Sequence, residues 1–250
     1  MNKYGECKLN KDKDLMRIVN YRNDDDIDVH LPECHIIITH VSYDDFKKGN
    51  ITNPCKPTVC GVGYIGLGPY KSRENGKITK EYEAWKNMLK RCYDSKLHEK
   101  YPTYIGCKVV EEWHNFQNFA AWYEDNYYEI EDQKICLDKD ILIKGNKIYG
   151  PDTCVFVPQN INLLFVKSNA IRGDLPIGVY YDKQRRKYVA RCKVNSQKRH
   201  IGYFDTLEEA FQAYKQFKEN VIQSTADEYQ YQIPEVLYDA MYNYRVEKDD

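Results

Sequence analysis

No apolar run in the 250-residue chain approaches the length needed to cross a bilayer, which is about 18 residues. The charged N-terminus also lacks the apolar core of a signal peptide. A soluble, cytoplasmic protein with no membrane contact is expected. There is no C-x-x-C pair either. The nine cysteines stand singly and are odd in number, which fits a reducing compartment and argues against a disulfide framework or a zinc knuckle. Cys55 and Cys60 are the nearest two, but no second ligand pair stands at a usual spacing, so a zinc site is not favoured there. An excess of either charge is missing as well. With 37 Lys and Arg against 38 Asp and Glu, the net charge is -1, and only local charge can point to a partner. Finally, the glycine-rich run GVGYIGLGPY (61–70) lacks the lysine and hydroxyl of a phosphate-binding loop. It reads as an ordered linker with Tyr64, Leu67 and Tyr70 packing on a neighbour.

What is present suffices for a buried core and for several small modules, since 42% of residues are hydrophobic. The 23 tyrosines are most simply a tyrosine-rich core and surface, with base stacking as the alternative. Residues 1–68 read as a small β-rich module, with strands at Leu15 to Tyr21, Ile27 to Leu31 and His35 to Val41. A short helix follows, with Ser42 as N-cap and Gly49 as the stop. His30, His35 and His40 fall on alternating strand faces, so they read as strand surface and not as a metal site. A helix over Glu81 to Tyr93 would bury Trp85, Met88, Leu89 and Cys92. After a strand at Ile105 to Val110, Trp113, Phe116, Phe119, Ala120 and Tyr123 line a second helix.

Residues 137–162 then read as a β-hairpin packed on a helix. Leu137 to Ile143 alternates, Lys144, Gly145 and Asn146 supply turn chemistry, and Ile148 to Val157 returns as a second strand. Pro158 suits the first turn of a helix that buries Ile161, Leu164 and Phe165. At these residues the chain resembles the phage and intron-type HNH endonucleases. Leu137, Asp138, Lys139 and Asp140, then Gly145 and Asn146, then Tyr149, Pro151, Asp152 and Cys154 carry the likeness. Upstream it extends through Tyr82, Trp85, Met88, Arg91, Cys92 and Tyr93, and through Gly106, Cys107, Val109, Glu112, Trp113, Phe116 and Phe119. Tyr21, Asp28, Val29, Phe46, Lys48, Gly49, Asn53 and Pro54 are similar to the N-terminal β modules that accompany phage HNH proteins.

The resemblance implies a ββα-metal site for phosphodiester hydrolysis, with a divalent cation on the leaving oxygen and a base for water. Asp138, Asp140 and Thr153 take the metal positions, for Mg2+ or Mn2+. Asn146 would orient the scissile phosphate, and Asn160 and Asn162 would add DNA contacts. Lys139 stands where the family places its base and could instead neutralise phosphate. The chain departs from the family at Thr153, which replaces an Asn, at Val155 and Phe156, which replace Arg-Trp, and in having no His beside Asp138.

Beyond Gly173, Asp174 and Pro176 the character changes. Tyr188, Ala190, Cys192 and Val194 alternate with Val189, Arg191 and Lys193, and His200 to Phe204 forms the next strand after a turn near Asn195 and Ser196. A capping box, Thr206 to Glu209, opens a helix that buries Leu207, Ala210, Phe211, Ala213, Tyr214 and Phe217. The strands carry Lys183, Arg185, Arg186, Lys187, Arg191, Lys193, Lys198 and Arg199 against the acid Asp182. A sheet with such a face suits duplex DNA, because a small sheet can enter the major groove. The module is similar to the plant Apetala-type, or ethylene-response-factor, DNA-binding domain through Gly178, Val179, Tyr188, Ala190, Gly202, Phe204, Thr206, Glu209, Ala210, Ala213 and Tyr214. That likeness implies Arg185, Arg186, Arg191, Lys193 and Arg199 as DNA contacts, with Lys187 and Lys198 beside them.

The expected fold is α+β: a β module (1–68), an HNH-like ββα domain with flanking helices (69–170), a three-stranded sheet plus helix (174–224), and a tail (225–250). In that tail a helix from Pro234 would carry Val236, Leu237, Ala240, Met241 and Tyr244 on one stripe. It packs on the core or, alternatively, forms a homodimer contact. The function expected is a phage-type, metal-dependent DNA endonuclease acting in the cytoplasm of an infected bacterial host. The alternatives are a non-cleaving DNA-binding regulator on the same core, and a phage factor that binds a host protein.

Overall fold

The computed structural model describes residues 2–166, 175–194, 197–248 and 250. The protein is α+β, and its chain forms two compact units, Met1–Ile105 with Val109–Trp122, and Gly106–Lys108 with Tyr123–Asp250. The stretch 69–170 contributes to both. The residues expected to join the hairpin helix to the next module, 167–174, lie outside the described set, as does the expected turn at 195–196.

In the first unit, β1 (Cys7–Leu9), β2 (Leu15–Asn23), β3 (Asp26–Leu31) and β4 (Ile36–Val41) form an antiparallel meander. Strict alternation sends Met16, Ile18, Ile27, Val29 and Leu31 to one face, as a period of two requires. Phe46 of α1 (Tyr43–Lys48) closes that face. The Ser42 hydroxyl accepts the Asp45 amide, and Gly49 ends the helix in the left-handed region. His35 lies in the β3–β4 turn at φ 55, just outside the strand expected to hold it. After β5 (Arg73–Glu74) and β6 (Lys77–Ile78), α2 (Lys80–Tyr93) buries the four residues its period predicts, Trp85, Met88, Leu89 and Cys92. Then comes α3 (Ser95–Lys100), capped by Asp94; the next strand, β7 (Lys108–Val109), is shorter than the Ile105 to Val110 strand expected, and the division between the units falls within it. The start of α4 (Phe116–Asn126) supplies Phe116 and Phe119 to an aromatic core with Trp85 and Trp113. The glycine run threads past this core. A Cβ at Gly66 would collide with the Asn115 side chain, and its φ is +73°, so close approach of two segments and a left-handed backbone explain that glycine. Leu67, expected to pack, is 53% exposed.

In the second unit, β8 (Ile135–Asp138) pairs antiparallel with β10 (Val155–Pro158), and α5 (Gln159–Asn162) follows at once. Between them lies a loop containing the two-residue β9 (Ile148–Tyr149). This corrects the expected hairpin, in which the first strand ran on to Ile143 and the turn sat at Lys144 to Asn146. The strand stops at Asp138 because its Oδ1 accepts the amides of Asp140 (2.8 Å) and Ile141 (2.9 Å). A side chain that bonds the backbone two and three residues ahead replaces the next ladder bond with a turn. Ile141 is thereby buried.

The sheet β11 (Val179–Asp182), β12 (Lys187–Val194), β13 (Gln197–Phe204) is antiparallel in that order. The capping box at Thr206 and Glu209 forms as the sequence indicates, and α6 (Leu207–Tyr229) runs for 23 residues. Its first half packs Ala210, Phe211 and Tyr214 against Val179, Ala190 and Cys192 of the sheet. Its second half packs Ile222, Ala226 and Tyr229 against Ile141, Val155, Val157 and Ile161 of the ββα element. α7 (Glu235–Tyr242) completes the second core through Leu237 and Met241, while Val236 of the expected stripe stays half exposed. One helix therefore carries two cores. No helix among the described residues is long and apolar enough to cross a membrane.

Candidate nucleic-acid interface

Cα partners in an antiparallel pair share a face, so the register of the three-stranded sheet sorts its charges. Val179, Tyr188, Ala190, Cys192 and Phe204 belong to the helix-facing side, and the other side is built from Tyr180, Lys187, Val189, Arg191, Lys193, Lys198, His200 and Tyr203. Arg191 stands opposite His200, and Lys193 opposite Lys198. All four of these side chains are exposed. Two like charges directly across a strand pair repel. An arrangement of this kind is relieved by an anion.

Among the described residues, acids neutralise only one end of this face. Lys187 is ion-paired to Asp205, and Arg185 to Asp182 at 3.1 Å. Asp205, which continues the outer face beyond Phe204, is thus a second acid beside the Asp182 that the sequence singles out. Arg186 sits in the β11–β12 turn at φ 53. Arg199 pairs with Cys192, which puts it by register on the helix-facing side, although its side chain is exposed. Arg191, Lys193 and Lys198 make no ion pair among the described residues.

Aromatic rings accompany the arginines. Tyr180 and Tyr203 are both partners of Val189, one on each neighbouring strand, and Val189 is fully buried between them. The Arg191 guanidinium lies over the Tyr180 ring, 4.6 Å from its centroid, and that of Arg185 lies 5.0 Å from the Tyr203 centroid. Sequence reasoning missed both tyrosines. The available signal was alternation: each stands at an outward position of its strand, where an aromatic serves contact and not core.

The hairpin residues are arranged differently. Lys139 is 7% exposed. Its Nζ donates to the Asn146 carbonyl at 3.0 Å and lies 3.4 Å from the Asp140 carboxylate. Asn146 donates through Nδ2 to the carbonyls of Lys139 (2.6 Å) and Ile148 (2.7 Å), while its Oδ1 accepts the Ile148 amide. The Thr153 hydroxyl donates to the Ile148 carbonyl at 2.8 Å. Lys139, Asn146 and Thr153 thus brace the loop from within. Asn160 donates to the Tyr229 hydroxyl of α6, and Asn162 is half-buried on α5.

That leaves Asp138 and Asp140 to meet a cation. Burial, with the neighbouring Asp140 charge, pushes the Asp138 carboxyl up to about 6. Burial likewise pushes the adjoining Cys154 thiol up to about 12. Asp138 keeps Oδ2 outside its amide bonds, and the Asp140 side chain is about half exposed. Two carboxylates suffice for a magnesium ion that retains several waters, but they are fewer than the set the family resemblance implies. Elsewhere, Asp26, Asp28 and His40 bring ligating atoms within 4.8 Å of one another. The guanidinium of Arg22 already bridges both of those carboxylates and holds Asp28 far below the usual carboxylate range.

No family model, curated protein or solved structure matches the chain.

The Asp138 environment carries its own prediction. The folded state holds the proton up to about 6, whereas an unfolded Asp releases it near 4. Between those values the unfolded chain binds fewer protons, so stability falls as pH rises through the window and the deficit persists above it. Asp138→Asn keeps an oxygen for the two amides and removes the charge. It should raise stability near neutral pH by about 1–2 kcal/mol, with the gain fading toward pH 4 in urea titrations. An equal gain at all pH values would mean the effect is unrelated to this ionisation.

Proposed function

We propose that this protein binds double-stranded DNA through the outer face of the β11–β13 sheet. The observation that carries the reading is the set Arg191, Lys193 and Lys198, exposed, on one face, and free of ion pairs among the described residues. Cations held in this way gain most from phosphate, because binding releases condensed counterions. The resemblance to Apetala-type domains supports the same face. In this reading the HNH-like ββα element is a scaffold that α6 joins to the sheet, and its loop residues Lys139, Asn146 and Thr153 serve the loop's own backbone. The protein would then act as a non-cleaving DNA-binding regulator.

A second reading, a divalent-metal endonuclease of the HNH class, is favoured by one observation: the Asp138 carboxylate, buried beside Asp140 with its Oδ2 outside the two amide bonds. In that case Asp138 and Asp140 would hold Mg2+ or Mn2+, and the ion would stabilise the developing charge on the leaving oxygen. Incubating supercoiled plasmid with the protein and either metal, beside Asp138→Ala, separates the two. The regulator predicts bound but intact plasmid in both samples. Cleavage by the unaltered protein that disappears in Asp138→Ala would establish the endonuclease. Plasmid that is neither bound nor cut would remove both.

A further inference from the structure

We infer that Tyr180 and Tyr203 are positioning residues for DNA recognition: each holds an arginine over its ring, so that the guanidinium fork is placed before DNA arrives. This inference rests on the sheet's outer face being the DNA-binding surface. Its basis is the symmetry about Val189. That residue lies fully buried at the centre of the face, its two cross-strand partners are the tyrosines, and each tyrosine bears one arginine on its ring at 4.6 or 5.0 Å. The two arginines approach from different places, Arg191 from β12 with no ion pair among the described residues, and Arg185 from the β11–β12 turn, where it also pairs with Asp182, yet both end on a ring. His200 adds a third planar group, 4.7 Å from the Tyr203 ring. Lys193 and Lys198 have no such support, so the face holds two kinds of cation: planar ones with their orientation set, and flexible ones without.

The difference matters chemically. A guanidinium binds through a rigid fork, and fixing that fork in advance lowers the ordering cost of each two-point contact with a base edge or phosphate. An ammonium on a mobile stem acts as a point charge. Removing a tyrosine should therefore weaken binding without changing how many phosphates are neutralised, whereas removing an arginine or lysine should change both.

The test is fluorescence anisotropy of the full chain on duplex DNA across a salt series, with Tyr180→Leu, Tyr203→Leu, Tyr180→Phe and Arg191→Ala. We expect Tyr180→Leu and Tyr203→Leu each to lose about five- to tenfold in affinity, with the slope of log affinity against log salt as in the unaltered protein. Tyr180→Phe keeps a ring under Arg191 and should bind within about twofold of the unaltered protein. Arg191→Ala should weaken binding and lower the slope by about one. Thermal melts of the same samples separate loss of fold from loss of orientation, and Tyr180→Phe gives the answer if Tyr180→Leu melts early. Leucine variants that bind as tightly as the unaltered protein, a phenylalanine variant no better than leucine, or a slope that drops with the tyrosine would each overturn the inference. Failure of the unaltered protein to bind duplex would instead overturn the functional reading beneath it.

Discussion

Arg191→Ala combined with Lys193→Ala should weaken duplex binding by roughly 10- to 100-fold and lower the salt slope by about two. Both residues occupy β12 on its outer face, separated by Cys192, which points to the core. Each faces another basic or ring-nitrogen group across β13: Arg191 faces His200, and Lys193 faces Lys198. Removing the pair therefore takes charge from the middle of the unneutralised patch. Two internal controls follow from the register. Lys187→Ala removes a charge already satisfied by Asp205, and Arg199→Ala removes one on the helix-facing side; each should cost less than either member of the pair. Equal losses for all four residues would mean that binding follows total charge and not this face.

A second large effect is expected at Gly178. Its φ is +76°, and a Cβ built there would lie 2.1 Å from the nearest ring atom of Tyr214. Gly178→Ala meets two penalties, a left-handed backbone that alanine resists and an overpacked contact with a ring fixed in the helix–sheet core. Together they should cost about 3 kcal/mol, or on the order of 10 °C in melting temperature for a unit of this size. The Gly178 carbonyl also accepts the Arg191 amide at 2.8 Å, beside the register shift between Ala190 and Arg191. Displacing Gly178 therefore disturbs the strand position that presents Arg191, and the variant should lose DNA affinity even where it is still folded. The double variant Gly178→Ala with Tyr214→Ala should be less unstable than the sum of the singles, because the second change removes the ring atoms that the first one strikes. Strict additivity would place the damage elsewhere.

Local signals made much of the fold legible. The Thr206 and Glu209 capping box, the Ser42 cap with its Gly49 stop, and the spacing of Trp85, Met88, Leu89 and Cys92 each describe one element. Each appears where those residues put it. The hairpin departs from its sequence pattern for a physical reason. In a run of alternating residues, an Asp that ends a strand by accepting two amides has the same one-dimensional pattern as an Asp that continues it. Only the three-dimensional bonds to Asp140 and Ile141 distinguish the two.

The site residues divide along the same line. That Arg191 and Lys193 share a face follows from a period of two, which sequence constrains, whereas Lys198 joins them only through the observed register of β13. Arg199 parts from them because of the irregularity between Ala190 and Arg191, which no spacing rule announces. The internal roles of Lys139, Asn146 and Thr153 depend on which carbonyls the loop turns inward, and that is decided by tertiary packing. The lower half of α6 could have been read further, since Ile222, Ala226 and Tyr229 continue its buried stripe at helical spacing.

Because that helix seals a different interior with each of its ends, the two layers it joins cannot be exchanged like beads on a string. A fragment stopped in mid-helix would strip the ββα layer of its cover while leaving the sheet above with most of its own. Recombination that transplants the cationic sheet into a new setting must bring the whole helix along, or supply an equivalent apolar end for whatever lies beneath it.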